Sequence, residues 1–140
     1  MTTPWLLGSA AAGMLLAALV VVVSRRASGG GELLRYAIGL AVAAAIYVGF
    51  AATGAPAHLS RELGGLALFG GIALLGWRDV PLLLAIGWAA HVGWDVAFHP
   101  ADAADGVPWW YPPLCFGFDF VIAGRCVMLA RRGATSVRSS

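Results

Sequence analysis

Charge is the scarcest property of this chain. Only 11% of its 140 residues are acidic or basic, where soluble domains carry about a quarter. With 60% hydrophobic residues and a mean hydropathy of +0.82, a soluble globular class is excluded and an integral membrane protein is indicated. Also lacking are a Gly-rich phosphate loop, a Ser-His-Asp set, a tetrathiolate site, internal repeats and any polar stretch that would mark a domain boundary. The chain therefore reads as a single membrane domain over 1–140. The net charge of +2 is mild, and nothing in it suggests nucleic acid. Cysteine is sparse as well. Cys115 and Cys126 lie on one predicted helix, about 16 Å apart at the helical rise, and cannot pair with each other.

What is present is apolar sequence in runs long enough to cross a hydrocarbon core, which takes about 20 helical residues. Five such segments are read: 5–23, 33–53, 62–77, 80–98 and 112–130. The predicted fold class is thus all-α, a five-helix transmembrane bundle. The β-branched run Val20 to Val23 would suit a strand in water, but a lone strand in lipid leaves its backbone unpaired. Each boundary has a local cause. Arg25, Arg26 and a glycine run follow the first segment, Gly54-Ala-Pro56 follows the second, Arg78, Asp79 and Pro81 separate the third from the fourth, and Pro100 stops the fourth.

No basic residue precedes Trp5, whereas Arg25 and Arg26 follow the first run. That is the polarity of a retained anchor, not of a cleaved signal. Arg25, Arg26, Arg35, Arg78, Arg131, Arg132 and Arg138 fall on one side of the five spans and Arg61 alone on the other. The positive-inside bias then predicts a multi-pass protein of the cell membrane, with its N-terminus outside and its C-terminus cytoplasmic. The Pro108-Trp-Trp-Tyr-Pro-Pro113 cluster suits the outer interface, and Arg125 is expected to extend to the cytoplasmic one.

Against this background the stretch HVGWDVAFHP, residues 91–100, stands out. His91, Asp95 and His99 share one helical stripe descending from the outer face, about 12 Å from first to last. Asp119, with Cys115 one turn above it, reaches a similar depth in the fifth segment, and Glu62 opens the third, four residues after His58. An ionisable group at such depth costs about 2.5–3.5 kcal/mol or more, so it belongs with a partner, a metal or water. His91, Asp95, His99 and Asp119 are candidate ligands for zinc or iron, since imidazole and carboxylate at i, i+4 spacing can reach one ion. Glu62, Asp95 and Asp119 are candidate catalytic acids and bases. Trp88, Trp94 and Cys115 are candidate walls of a substrate pocket. The plainer readings are a loop role for His58, a helix cap for His99, a pairing of Glu62 with Arg61, and solvated loop acids at Asp102 and Asp105. Gly64-Gly65 and Gly70-Gly71 would permit close helix approach.

From about Gly54 to Ala130 the chain resembles a family of small multi-pass membrane proteins known as a domain of unknown function. The resemblance rests on Glu62 opening a helix, the His-x-x-Trp-Asp-x-x-x-His block of His91, Trp94, Asp95 and His99, and the Cys-x-x-x-Asp block of Cys115 and Asp119. The chain departs from that pattern at Phe98, where a second histidine is common, and at Phe118, where a second cysteine is. The resemblance implies that Glu62, His91, Asp95, His99 and Asp119 form a shared polar set, and implies no reaction.

Three functions stay open on the residues: a metal-dependent membrane hydrolase, a metal-free acid/base cyclase or isomerase using Asp95 and Asp119, and a non-enzymatic ion conduit or metal-binding accessory subunit. The first two take an apolar, lipidic or isoprenoid-like substrate from the surrounding membrane lipid. A homo-oligomer is left open. The cytoplasmic halves of the segments carry few polar groups besides Arg125, which favours a dead-end site over a conduit.

Overall fold

The computed structural model describes residues 3–26, 31–78, 80–100 and 105–138, with residue 3 and residues 133–138 described as backbone only. Asp79, Asp102 and the side chain of Arg138 therefore lie outside the described residues. The architecture is all-α: α1 (Thr3–Ser24), α2 (Gly31–Gly54), α3 (Leu59–Arg78), α4 (Pro81–Phe98) and α5 (Tyr111–Arg138). A 3-10 turn, Pro56–His58, precedes α3. Five segments, 4–24, 31–54, 56–78, 81–98 and 111–132, are long and apolar enough to cross a membrane. The chain is a multi-pass membrane protein.

Observed boundaries differ from the expected ones mainly in α3, which begins three residues earlier, and in α5, which continues to Arg138. Pro56 and Pro81 each begin a helical element, where the missing N–H is no loss. The helices alternate in direction, so one end of the bundle holds Arg61, His99 and the start of α5. The other holds Arg25, Arg26, Arg78, Arg131 and Arg132. These are the site end and the arginine end below.

Helix α1 packs on α5, α5 on α4, α4 on α3 and α3 on α2, with α2 also touching α4. The core includes Tyr36, Leu40, Phe69, Leu84, Trp88, Ile122 and Cys126, with buried alanines between them. Large apolar side chains such as Leu7, Leu15, Ile38, Leu68, Ile86 and Phe120 face outward, as a lipid solvent allows. Without a hydrophobic drive between helices, close approach depends on small residues. At the α1–α5 crossing, a Cβ on Gly13 would collide with the Leu114 carbonyl, and one on Gly117 with the Ala10 carbonyl. Gly65 receives the Trp94 ring, Gly76 the backbone of Leu84, and Gly87 the side chains of Ile72 and Leu40. Gly64, Gly70 and Gly71 meet nothing within 4 Å, so of the two glycine pairs only Gly65 serves the close approach expected of them.

Toward the arginine end, Arg125 pairs with Glu32 in the first turn of α2. It donates from Nε and Nη2 to the two oxygens of Glu32, at 2.8 and 3.1 Å, and Tyr36 Oη donates to the same carboxylate at 2.8 Å. This fork ties the start of α2 to α5. Arg125→Ala is expected to destabilise the protein by about 1–2 kcal/mol in thermal unfolding in detergent. Combining Arg125→Met with Glu32→Gln should recover part of that loss, because no charge is then left unpaired.

Candidate functional site

Buried positions along α4 follow the helical repeat: Leu84, Trp88, His91 and Asp95, continued by His99 at the C-cap. One stripe therefore carries apolar contacts at the arginine end and titratable groups at the site end. His91 Nδ1 lies 2.8 Å from Asp119 Oδ2 and 3.8 Å from Asp95 Oδ1, with all three side chains buried. The depth match between α4 and α5 thus becomes a direct contact. His91, Asp95 and Asp119 each offer a ligand atom within 4.8 Å of the others.

Asp95 is the least satisfied member. Only 2% of it is exposed, yet neither of its oxygens has a hydrogen-bond partner, and His91 Nε2 has none either. A buried carboxyl in that state is held as a neutral acid or beside a cation, since an isolated buried carboxylate is too costly. The donor set, one imidazole nitrogen and two carboxylates, suits zinc, iron or manganese. On both chemistry and spacing, these residues fit a metal.

His99 stands apart from this trio. Its backbone N–H caps α4 by donating to Asp95 O at 2.9 Å. Its Nδ1 lies 2.6 Å from Asp105 Oδ2 and its Nε2 3.5 Å from Glu62 Oε2. Asp105 corrects the expectation of a solvated loop acid. It is buried, and its other oxygen accepts the Val107 N–H at 3.0 Å, the local turn that aspartate favours. Gly106 follows with φ of +80°, and a Cβ on Gly54 would come within 3.0 Å of its Cα, so the loop can close against α2 only where both residues are glycine.

Glu62 is buried and fully engaged. It accepts from Arg61 Nε at 2.6 Å and from Trp94 Nε1 at 3.3 Å. The void between Glu62, Tyr47, Phe69, His91 and Trp94 has no room for a water molecule. Glu62 is thus held by Arg61 and Trp94, lies 3.5 Å from a His99 Nε2 that has no hydrogen-bond partner, and shares the dry void with His91. Among the described residues, His58 is half-buried and joins neither group.

Tyr47 and Tyr111, which the sequence reading did not single out, complete the site. The Tyr47 ring stacks on His99 with centroids 4.3 Å apart and lies 5.8 Å from His91, while its hydroxyl has no partner. A usable signal existed, because Tyr47 sits seven residues below the site end of α2, the depth at which Asp119 was noticed. Tyr111 packs against Tyr47 and Cys115 in a small cluster of its own. Cys115 and Cys126 are both free and buried.

Among the described residues, two of the larger cavities reach these groups. A groove of about 400 Å³ between α1, α4 and α5 is lined by Leu6, Leu7, Ala10, Val96, Pro113 and Phe116, with Asp95 and His99 as its ionisable groups. Leu7, Val96 and Phe116 are exposed on its rim. Trp88 and Cys115 line a different cavity with Asp119, whereas Trp94 faces the dry void beside Glu62.

Compared with known families, curated proteins and solved structures, the chain matches none. The resemblance noted above therefore rests on the residues quoted for it, and the site has to be interpreted from its own geometry.

Proposed function

We propose that this protein is a membrane-embedded enzyme acting on an apolar, isoprenoid-like substrate carried by the lipid, with Asp95, His91 and Asp119 as its reacting set. The observation that carries this reading is the groove: hydrocarbon walls open beside exposed apolar residues and lead to Asp95 and His99. A substrate arriving from lipid would reach the inner wall that Asp95 and His99 share, and a small side-chain shift would then bring the enclosed Asp95 oxygens to it. The arginine distribution orients the groove toward the outer leaflet of the cell membrane, with the N-terminus outside and the C-terminus cytoplasmic.

Acid/base chemistry suits the trio best. Asp95, as a neutral acid, gives its proton to a substrate double bond or epoxide oxygen, so that an O–H bond breaks and a C–H or new O–H bond forms. The carboxylate left behind lies 3.8 Å from His91 Nδ1, whose contact with Asp119 Oδ2 at 2.8 Å fixes the ring beside it. Asp95 then recovers a proton from a neighbouring carbon of the same substrate, completing an isomerisation or cyclisation with no net change in protons.

A second reading, metal-dependent hydrolysis, is favoured by the 4.8 Å clustering of the three ligand atoms. His91, Asp95 and Asp119 would hold the zinc or iron, which would supply a Lewis acid. Ion passage is supported less well, because Leu40, Leu84, Trp88 and Ile122 form a buried apolar layer between the trio and the Arg125–Glu32 pair.

The test is incubation of nanodisc-held protein with extracted isoprenoid and epoxy lipids, followed by mass spectrometry, with metal content measured after exposure to zinc and iron. The wild type should convert at least one lipid class, and Asp95→Asn should do so at least about 100-fold more slowly. Stoichiometric metal lost in Asp95→Asn would select the hydrolase. Identical lipid profiles for the two proteins would overturn the enzymatic reading.

A further inference from the structure

The charges around the groove between α1, α4 and α5 decide which lipids it can hold. The chain contains no lysine. Toward the site end, Arg61, His91 and His99 are each committed to an acid: Arg61 to Glu62 at 2.6 Å, His91 to Asp119 at 2.8 Å and His99 to Asp105 at 2.6 Å. The Arg61 guanidinium also lies over the Phe98 ring, 5.1 Å from its centroid, and neither residue lines the groove. Nor does His58, on the turn before α3. Asp95 is the acid left over once these pairs are made, and it belongs to the groove wall.

A helix N-terminus is the other common source of anion binding, because its first N–H groups point out of the helix. Helix α5 opens beside the groove with Tyr111-Pro-Pro113, and both prolines are in the wall. Proline has no N–H. The donors on either side are already engaged, Tyr111 N–H by Pro108 O at 2.9 Å and Leu114 N–H by Trp110 O at 3.2 Å. Phosphate recognition depends on charged groups or clustered backbone donors. A phosphate in the groove would lie beside a carboxyl with no cation to balance it, a costly arrangement away from water.

We propose that the groove selects uncharged isoprenoid lipids, such as hydrocarbons, alcohols and epoxides, and excludes their phosphate esters. The inference rests on the function proposed above, whose substrate class it narrows.

The experiment is photolabelling of nanodisc-held protein with a farnesyl ether that carries benzophenone, in competition with farnesol or farnesyl phosphate at equal membrane concentration. The label should map to 6–10 or 112–116, within the groove. Farnesol should compete at least about 10-fold better than farnesyl phosphate, since an unbalanced like charge is strongly unfavourable. Val96 and Leu7 are exposed on the rim. Val96→Arg or Leu7→Arg supplies the missing cation, and either should raise competition by the phosphate, while unchanged competition by farnesol shows that the groove is intact. Equal competition by the two lipids in wild type, preference for the phosphate with or without added zinc, labelling outside the groove, or no gain from arginine at both positions would each overturn the proposal. Binding is read here without conversion. If the groove prefers farnesol while wild type and Asp95→Asn show identical lipid profiles, the selectivity stands and the enzymatic reading falls. Conversion of phosphorylated lipids by the wild type would keep the enzyme and overturn the selectivity.

Discussion

Asp95→Asn is expected to leave the protein as stable as the wild type or more so, whereas Asp119→Ala should destabilise it by about 1–3 kcal/mol. The two aspartates are equally buried and within reach of one histidine, so a difference between them tests how the site is held. Asp119 has a role in the fold, because it accepts from His91 Nδ1 at 2.8 Å, and its removal strands a buried polar nitrogen. Asp95 makes no close hydrogen bond through either oxygen, its polar neighbours being His91 Nδ1 at 3.8 Å and the Tyr47 hydroxyl, so replacing it by the neutral amide removes the risk of an uncompensated charge and loses no short contact. Residues kept for chemistry at the expense of stability behave in this way. Thermal unfolding of both variants in the same detergent is the measurement. A loss of stability in Asp95→Asn as large as in Asp119→Ala would mean that Asp95 is structural, and would remove it from the reacting set.

Gly117→Ala should separate α1 from the bundle, at a cost of about 1–3 kcal/mol or more. The added methyl meets the Ala10 carbonyl, a backbone atom that no rotamer change can move. Helix α1 has few other partners, since its contacts with α2 are slight beside those with α5. The groove should be lost with it, because Leu6, Leu7 and Ala10 form one wall, and lipid conversion should fall accordingly. Gly64→Ala and Gly70→Ala are the controls. Their Cβ atoms meet nothing within 4 Å, and alanine for glycine inside a helix is worth about 0.5–1 kcal/mol of stability. Opposite signs are therefore expected from the same chemical change, read out by thermal unfolding. Destabilisation by Gly64→Ala equal to that by Gly117→Ala would refute the packing account.

The trio at His91, Asp95 and Asp119 was legible because helical periodicity and the rise per residue turn sequence position into depth once segments are known to span a membrane. Azimuth was not legible. His99 and Asp119 both lie toward the site end, yet His99 turns to Asp105 and Glu62, a partition set by how α3 and the loop before α5 pack against α4. Asp105 was misjudged because a loop aspartate followed by glycine usually faces solvent; the Gly54–Gly106 contact instead folds the loop over His99. Glu32 and Arg125 escaped notice as a pair because they lie 93 residues apart, and only the packing of α2 near α5 joins them.

The sequence by itself determined that five helices are long and apolar enough to cross a membrane, about where each of them lies, and that acids and imidazoles gather toward one end. Lipid accepts only helices whose backbone is internally satisfied, and it makes every charge conspicuous. Only the tertiary structure decided which of those groups touch, that Asp95 has no close hydrogen bond and approaches His91 at 3.8 Å, and that apolar cavities reach the trio from both flanks of α1. Those facts depend on the rotation of each helix about its own axis, which is set by contacts such as Gly13 and Gly117 at the α1–α5 crossing and is not encoded in hydropathy.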